Sequence, residues 1–228
     1  MPTFEIICLA NSRKLRGRCV AGLRTDGGGW IRPVAPSEDG TLFGQHYCLD
    51  DGSEAQILDL IRIEVDKPKP QAHQPENWVI GNAQWKLLAR PALPRYIKLI
   101  ARSLESGPAL FGDYSDRIDF ISLLASPSSS SVCLIRPENI WWQITTSYTG
   151  RRQTRAIFNI LNCFYDLVIT DSVFEKRLSF LDFGVHTLEA AKLDEGLDIV
   201  FAISLGEPMP SDKKCYKLVA GVVLLPRS

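Results

Sequence analysis

Short apolar runs separated by turn residues fill the first third of the chain. "FEIICLA" at 4–10 and "RCVAGL" at 18–23 are compact apolar runs, and "WIRPV" at 30–34 is a third. The "TDGGG" stretch before the third run is typical of a hairpin turn, because glycine tolerates the positive φ angles that tight turns need. The pattern predicts a meander of three short strands with a basic bend after the first one.

One stretch in the middle of the chain has the spacing of a helix. It reads "PALPRYIKLIARSLESG" and covers residues 91–107. Pro94 fits the first turn of a helix, and Gly107 fits a C-terminal stop. The sequence therefore predicts a helix over about 91–107. Its apolar positions recur every three or four residues, at Leu93, Ile97, Ile100 and Leu104.

The last third of the chain returns to short apolar runs of the strand type. Residues 155–162 and 184–191 could each form a strand or a short helix, and the pattern does not separate the two. About nine or ten short strands with turns between them predict a mainly β protein built from sandwiches or barrels. The clearest runs in this part lie at 132–137, 139–148, 165–171, 197–205 and 214–225.

Length and composition allow one large domain or two small ones. The chain has 228 residues and 45% hydrophobic residues, which is enough for a sizeable core. No apolar run approaches the roughly 18–20 residues of a membrane span. The N-terminal apolar run is short and carries Glu5, so it does not resemble a signal peptide. We expect a cytoplasmic protein with no membrane partner.

The six cysteines are scattered, and none forms a C-x-x-C pair. The three histidines are also isolated, so we expect reduced thiols, no metal site and no cofactor. Phosphate-loop and nucleophile-elbow motifs are absent from the sequence. A Cys8–His46 hydrolase pair is disfavoured, because Cys8 lies in an apolar run that should bury it. The sequence predicts a protein that is not an enzyme.

Positive charge is concentrated near the N-terminus, in residues 11–34. Single-strand binding needs a positive groove for phosphates and flat side chains for bases. Trp30 and Arg32 lie two positions apart, so on a strand they would face the same side and could form a platform for a base. Asn11 and Ser12 could bond to phosphates or base edges. The basic residues of this segment are Arg13, Lys14, Arg16, Arg18, Arg24 and Arg32, against one acid, Asp26.

Structural roles for the same residues stay open. Asn11 and Ser12 are also typical of a turn or cap, and charged residues at a bend are often only solvated. Trp30 could instead be a core residue, because the run is short and the orientation of its faces is not fixed by the pattern. Arg13, Lys14 and Arg18 are the main candidates for ligand contact.

Three further places in the sequence bear on a binding site. In "ENW" at 76–78, Glu76 could hold an arginine of the basic segment, and Asn77 could contact a ligand or cap the Pro-rich connection before it. "GRRQTR" at 150–155 could extend a nucleic-acid track through Arg151 and Arg152, or be a solvated loop tip. Trp141 and Trp142 must face opposite sides of a strand, so one is expected in the core.

Several blocks of the sequence resemble the dual OB-containing domain family, in the same order over nearly the whole chain. They are "CLANSRKLRGRCVAGL", "GGWIRPV", "QPENW", "VITD", "AISLGEP" and "YKLVAGVV". The resemblance implies two tandem OB-like small β-barrels, a nucleic-acid-binding role and a prokaryotic, anti-phage setting, with no catalytic activity. With the predicted helix as a bridge, we expect barrels at 1–90 and 126–228 joined by a helical connection at 91–125.

Two functions remain after the sequence analysis. The first is a nucleic-acid-binding module for single-stranded DNA or RNA, with an effector protein as a further partner. The second is a nucleotide or anion sensor, or a protein-interaction module, that uses the same basic groove. The basic residues are spread along a bend and a second cluster exists, which favours the first function.

Overall fold

A computed structural model of the protein describes residues 1–92, 96–193 and 196–226. The mainly β architecture expected from the pattern is confirmed, with two sheets and four short helices in the described residues. The first sheet contains β1 (Thr3–Lys14), β2 (Gly17–Arg24), β3 (Trp30–Val34), β4 (Leu60–Pro68), β5 (Asn77–Ile80) and β6 (Lys86–Ala89).

Five strands of the first sheet close into a barrel. The strand order is β1-β2-β3-β5-β4-β6, and an additional pairing of β1 with β4 closes the ring. β3 and β5 run parallel, whereas the other neighbours are antiparallel. This is the small Greek-key barrel that the OB resemblance implies.

The second sheet is larger and, like the first, contains a pair of parallel neighbouring strands. Its order is β12-β9-β10-β11-β14-β13-β8, with β7 paired to β14 and with β11 parallel to β14. The two ambiguous sequence segments provide β10 and β12. The strands are β7 (Arg117–Asp119), β8 (Val132–Ile135), β9 (Glu138–Thr146), β10 (Arg152–Ile160), β11 (Cys163–Ile169), β12 (Gly184–His186), β13 (Leu197–Pro208) and β14 (Lys214–Pro226).

The predicted bridging helix is shorter than the sequence indicated. The helices are α1 (Gly44–Tyr47), α2 (Ile97–Arg102), α3 (Phe120–Ala125) and α4 (Ser172–Arg177). Leu93 and Pro94 lie outside the described residues. The chain leaves α2 because the next residues pair with β8: Leu104 bridges Leu134, and the Glu105 N–H donates to the Leu134 carbonyl at 2.8 Å. No helix in the described part of the chain is long and apolar enough to cross a membrane.

The outer face of β1 and β2 is covered by the second sheet. Successive residues of a strand point to opposite faces, so Ile6 and Cys8 fill the barrel while Ile7 and Leu9 point out of it. The outward residues pack against apolar side chains of β8, β13 and β14 in a second core between the sheets. The central parts of β1 and β2 are therefore buried on both faces. The boundaries at 1–90, 91–125 and 126–228 stay a prediction.

Candidate nucleic-acid interface

Most of the positive charge in the N-terminal basic segment is compensated. Arg16 is exposed and is the one basic residue of the segment without an ion pair to a described residue. The five ion pairs are Arg13–Glu175 at 2.6 Å, Lys14–Glu207 at 2.8 Å, Arg18–Glu54 at 2.5 Å, Arg24–Asp26 at 2.6 Å and Arg32–Glu76 at 3.0 Å. Four of the acids lie far along the chain, so the local count of charges overstated the local field.

Arg32 is an interior residue, which corrects its assignment to an exposed platform. Its side chain is 2% exposed, and the expected pairing of Glu76 with an arginine of the segment is confirmed. Trp30 is half-buried and packs against the core between the sheets. Asn77 is buried at the start of β5, where its side-chain amide donates to the side-chain oxygen Oε1 of Gln74 at 3.3 Å. A ligand at the surface does not reach Arg32 or Asn77, so neither belongs to the proposed contact surface.

Asn11 and Ser12 also have structural positions. Both are buried, and the Asn11 amide donates to the Ala55 carbonyl at 2.7 Å. Ser12 forms a backbone bridge with Asp171, at the end of β11. Both residues lie inside β1 and their contacts reach distant segments, so they are neither a turn or cap nor free for phosphate contact. Their backbone instead brings the basic bend beside the second sheet.

Helix α4 is fixed next to the β1–β2 turn by Asp171. The Asp171 carboxylate accepts hydrogen bonds from the N–H groups of Val173 at 3.1 Å and Phe174 at 3.0 Å, which caps the helix. Its other oxygen accepts from the Val222 N–H at 3.0 Å. Burial raises the pKa of Asp171, although these donors stabilise its charged form. The Arg13 guanidinium then reaches Glu175 on the helix.

The exposed side of α4 adds cations that the sequence analysis missed. Phe174 and Leu178 are buried four positions apart, which leaves Lys176 and Arg177 in solvent. Neither has an ion pair to a described residue. The side chain of Phe180, just past the helix, is 50% exposed. The sequence did contain a signal for this surface: in "EKRLSF", a basic pair is followed closely by an aromatic residue.

The second basic cluster lies beside the segment that follows α4. Arg152 donates to the Leu181 carbonyl at 2.5 Å and lies 5.6 Å from the Phe183 ring centroid. Arg151 is exposed and has no ion pair with any described residue. Tyr148, in the same β9–β10 loop, is 92% exposed. The two clusters predicted separately from the sequence are thus connected through α4 and the loop that follows it.

We call the surface formed by residues 13–16, 147–152 and 172–183 the basic track. These segments contain seven basic and two acidic residues. Three aromatic side chains on it are at least half exposed: Tyr148, Phe180 and Phe183. The track therefore combines positive charge with flat apolar rings, the two ingredients of single-strand binding.

Comparison with known families agrees with this architecture. A family model described as the dual OB-containing domain matches residues 4–222.

The chain belongs to the dual OB-containing domain family.

Comparison with curated proteins and comparison with solved structures gave no match. OB folds bind oligonucleotides on the face of strands 2 and 3 and in the neighbouring loops. In this dual OB-containing chain, the second sheet covers much of that face on the first barrel. The loops β1–β2 and β9–β10 remain at the surface, and both belong to the basic track.

The outer face of the second sheet is accessible in this family member. Trp142 is 0% exposed and Trp141 is 39% exposed, which confirms the expected opposite orientation of the pair. Phe164 on β11 is also exposed, on the same face as Arg155, which pairs with Asp166 at 2.7 Å. This face is less positive than the basic track, because its central arginine is compensated.

Proposed function

We propose that this protein binds single-stranded nucleic acid along the basic track, as a non-catalytic module. The observation that carries the proposal is the meeting of two basic clusters at α4. The clusters are distant in sequence, and two exposed aromatic rings, Phe180 and Phe183, lie in the segment that follows α4. Contacts across the fold hold α4 and the segment that follows it, through Arg13–Glu175 on the helix and Arg152–Leu181 after it.

The basic side chains of the track that have no ion pair with a described residue favour a polymer of phosphates as the ligand. Arg16, Arg151, Lys176 and Arg177 have no ion pair with described residues, so they can contact phosphates without breaking an existing bridge. Each contact releases counterions from the nucleic acid and makes the affinity depend on salt. Phe180 and Phe183 each offer a ring face for a base, and stacking on aromatic residues tolerates any base.

A binding role without catalysis fits the state of the candidate nucleophile. Cys8 is fully buried, and burial raises the pKa of its thiol, so a reactive thiolate is disfavoured. No group of three or more metal-ligating side chains occurs among the described residues. The prokaryotic defence setting, an effector partner and a cytoplasmic location stay predictions.

The test is fluorescence anisotropy with labelled single-stranded DNA and RNA of increasing length at two salt concentrations. We expect affinity that rises with length and falls steeply with salt. Lys176→Glu with Arg177→Glu should weaken binding about tenfold or more and make the salt slope shallower by about one unit or more. The matched control is Lys67→Glu with Lys86→Glu, two exposed lysines on β4 and β6 of the first barrel.

Other outcomes would contradict the proposal. Equal weakening by both double variants would mean that the track is not the binding site. Saturation by a mononucleotide without length dependence would favour the anion sensor. No binding at low salt would favour a protein-interaction module.

A further inference from the structure

An open cleft lies outside the basic track, between α3 and the segment that follows α2. Its volume is about 470 Å³, in the range of small-molecule sites. One wall is formed by Glu105, a second by the loop at 111–113, and a third by α3 with the serine-rich loop at 126–130. None of the residues lining this cleft belongs to the track.

The cleft combines an apolar floor with a polar rim. Phe111, Ile118 and Leu123 pack together in a small apolar cluster below it. Serine side chains of the loop and the carboxylates of Glu105 and Asp113 form the rim. No lysine, arginine or histidine of the described residues lines the cleft, so its chemistry disfavours phosphates and other anions.

The two carboxylates differ in how their charge is compensated. Asp113 accepts hydrogen bonds from the Ser115 N–H at 2.7 Å and from the buried Lys217 ammonium at 3.1 Å. Glu105 has no hydrogen-bond or ion-pair partner for its carboxylate among the described residues. Loss of water around Glu105 raises the pKa of its carboxyl group. The cleft therefore carries one uncompensated acid beside an apolar floor.

We propose that this cleft binds a small organic amine, with its ammonium group on Glu105 and its apolar body on Phe111, Ile118 and Leu123. A charge-assisted hydrogen bond to Glu105 would supply the polar contact, and serine hydroxyls of the rim would accept the remaining ammonium protons. Burial of the apolar body would add affinity without a charge requirement. The proposal is independent of nucleic-acid binding.

The test uses three probes with the same aromatic body on the full-length, ¹⁵N-labelled protein. They are tyramine, the uncharged 4-ethylphenol and the acid 3-(4-hydroxyphenyl)propionate. We expect millimolar binding of tyramine, weaker binding of 4-ethylphenol and none of the acid. Amide shifts should lie at 105, 111–113, 126 and 128–130. Tyramine binding should also weaken as the pH falls through the raised pKa of Glu105.

Variants separate the charge contact from the apolar contact. Glu105→Gln should weaken tyramine binding about tenfold and leave 4-ethylphenol unchanged. Glu138→Gln, at an exposed acid on β9, is the control and should change neither. Equal binding of amine and acid, shifts outside the cleft, or no binding of any probe to the unmodified protein would overturn the proposal. The comparison of the three probes and the positions of the amide shifts are measured on the unmodified protein. They therefore test the proposal even if the Glu105→Gln variant unfolds.

Discussion

The Arg32 guanidinium donates to the Glu76 carboxylate at 3.0 Å in the interior of the protein, at the junction of the two sheets. Ser131, just before β8, and Ser204 on β13 accept from the same guanidinium, at 2.6 and 3.0 Å. Burial alone would raise the pKa of Glu76, but the Arg32 charge and donors on Ser131 hold it below its ordinary value. Arg32 was expected to bind a ligand, but it is part of a buried charge pair whose hydrogen bonds link the two sheets.

Breaking this pair should be costly. Glu76→Gln leaves the buried Arg32 charge uncompensated, and we expect a loss of about 3–5 kcal/mol in the free energy of unfolding, measured by urea denaturation. Replacing both residues, Arg32→Met with Glu76→Leu, should cost less than Glu76→Gln alone. Arg62→Met, which breaks an exposed pair with Glu5, is the control and should cost about 0–1 kcal/mol. Similar losses for Glu76→Gln and Arg62→Met would refute this account of Arg32.

Stability should fall in acid because of Glu207. Burial would raise the pKa of Glu207, but His73 at 2.8 Å and Lys14 at 2.8 Å lower it from 4.5 to about 2. A lowered folded-state pKa gives stability that is complete above the unfolded pKa and is lost as the pH falls through the folded one. The unfolding free-energy difference between the native protein and Glu207→Gln should thus shrink between about pH 4.5 and pH 2. A difference that stays constant over this window would disagree with the assigned shift.

Gly221 on β14 permits close contact between the two sheets. A Cβ atom at this position would lie 2.1 Å from the Leu9 carbonyl oxygen on β1. Gly221→Ala should therefore push the sheets apart and cost about 1–3 kcal/mol or more, measured by thermal or urea unfolding. Gly107→Ala is the control, because its Cβ meets nothing within 4 Å. If both variants unfold alike, the close approach is not important for stability.

Two basic residues of the β1–β2 turn should behave differently on charge reversal. Arg16→Glu should weaken oligonucleotide binding with little change in stability, because Arg16 has no ion pair with a described residue. Lys14→Glu should lower stability as well, because the new acid would face Glu207. Anisotropy and urea unfolding on the same samples separate the two effects. Full affinity in Arg16→Glu would remove the turn from the track.

The mainly β class could be predicted from the sequence, because strand patterns are local information. The barrel was expected only from the family resemblance, because its closure depends on the pairing of distant strands such as β1 with β4. Alternating or continuous apolar runs bounded by turn residues identify strands such as 4–10 and 30–34. The period of two along a strand was sufficient to place Trp141 and Trp142 on opposite faces. The helix at 91–107 was overestimated, because periodicity does not show that Leu104 pairs with β8.

The sequence by itself determined where the basic residues lie along the chain, and only the tertiary structure decided which of them are free. Four basic residues form ion pairs with acids from distant segments of the chain, and a local charge count cannot detect such pairs. They are Arg13, Lys14, Arg18 and Arg32. The basic track likewise exists only after folding, because the Ser12–Asp171 bridge and the Arg13–Glu175 ion pair place α4 beside the first barrel. Burial, ion pairing and the joining of surfaces depend on which segments pack together, and this is set by the whole fold.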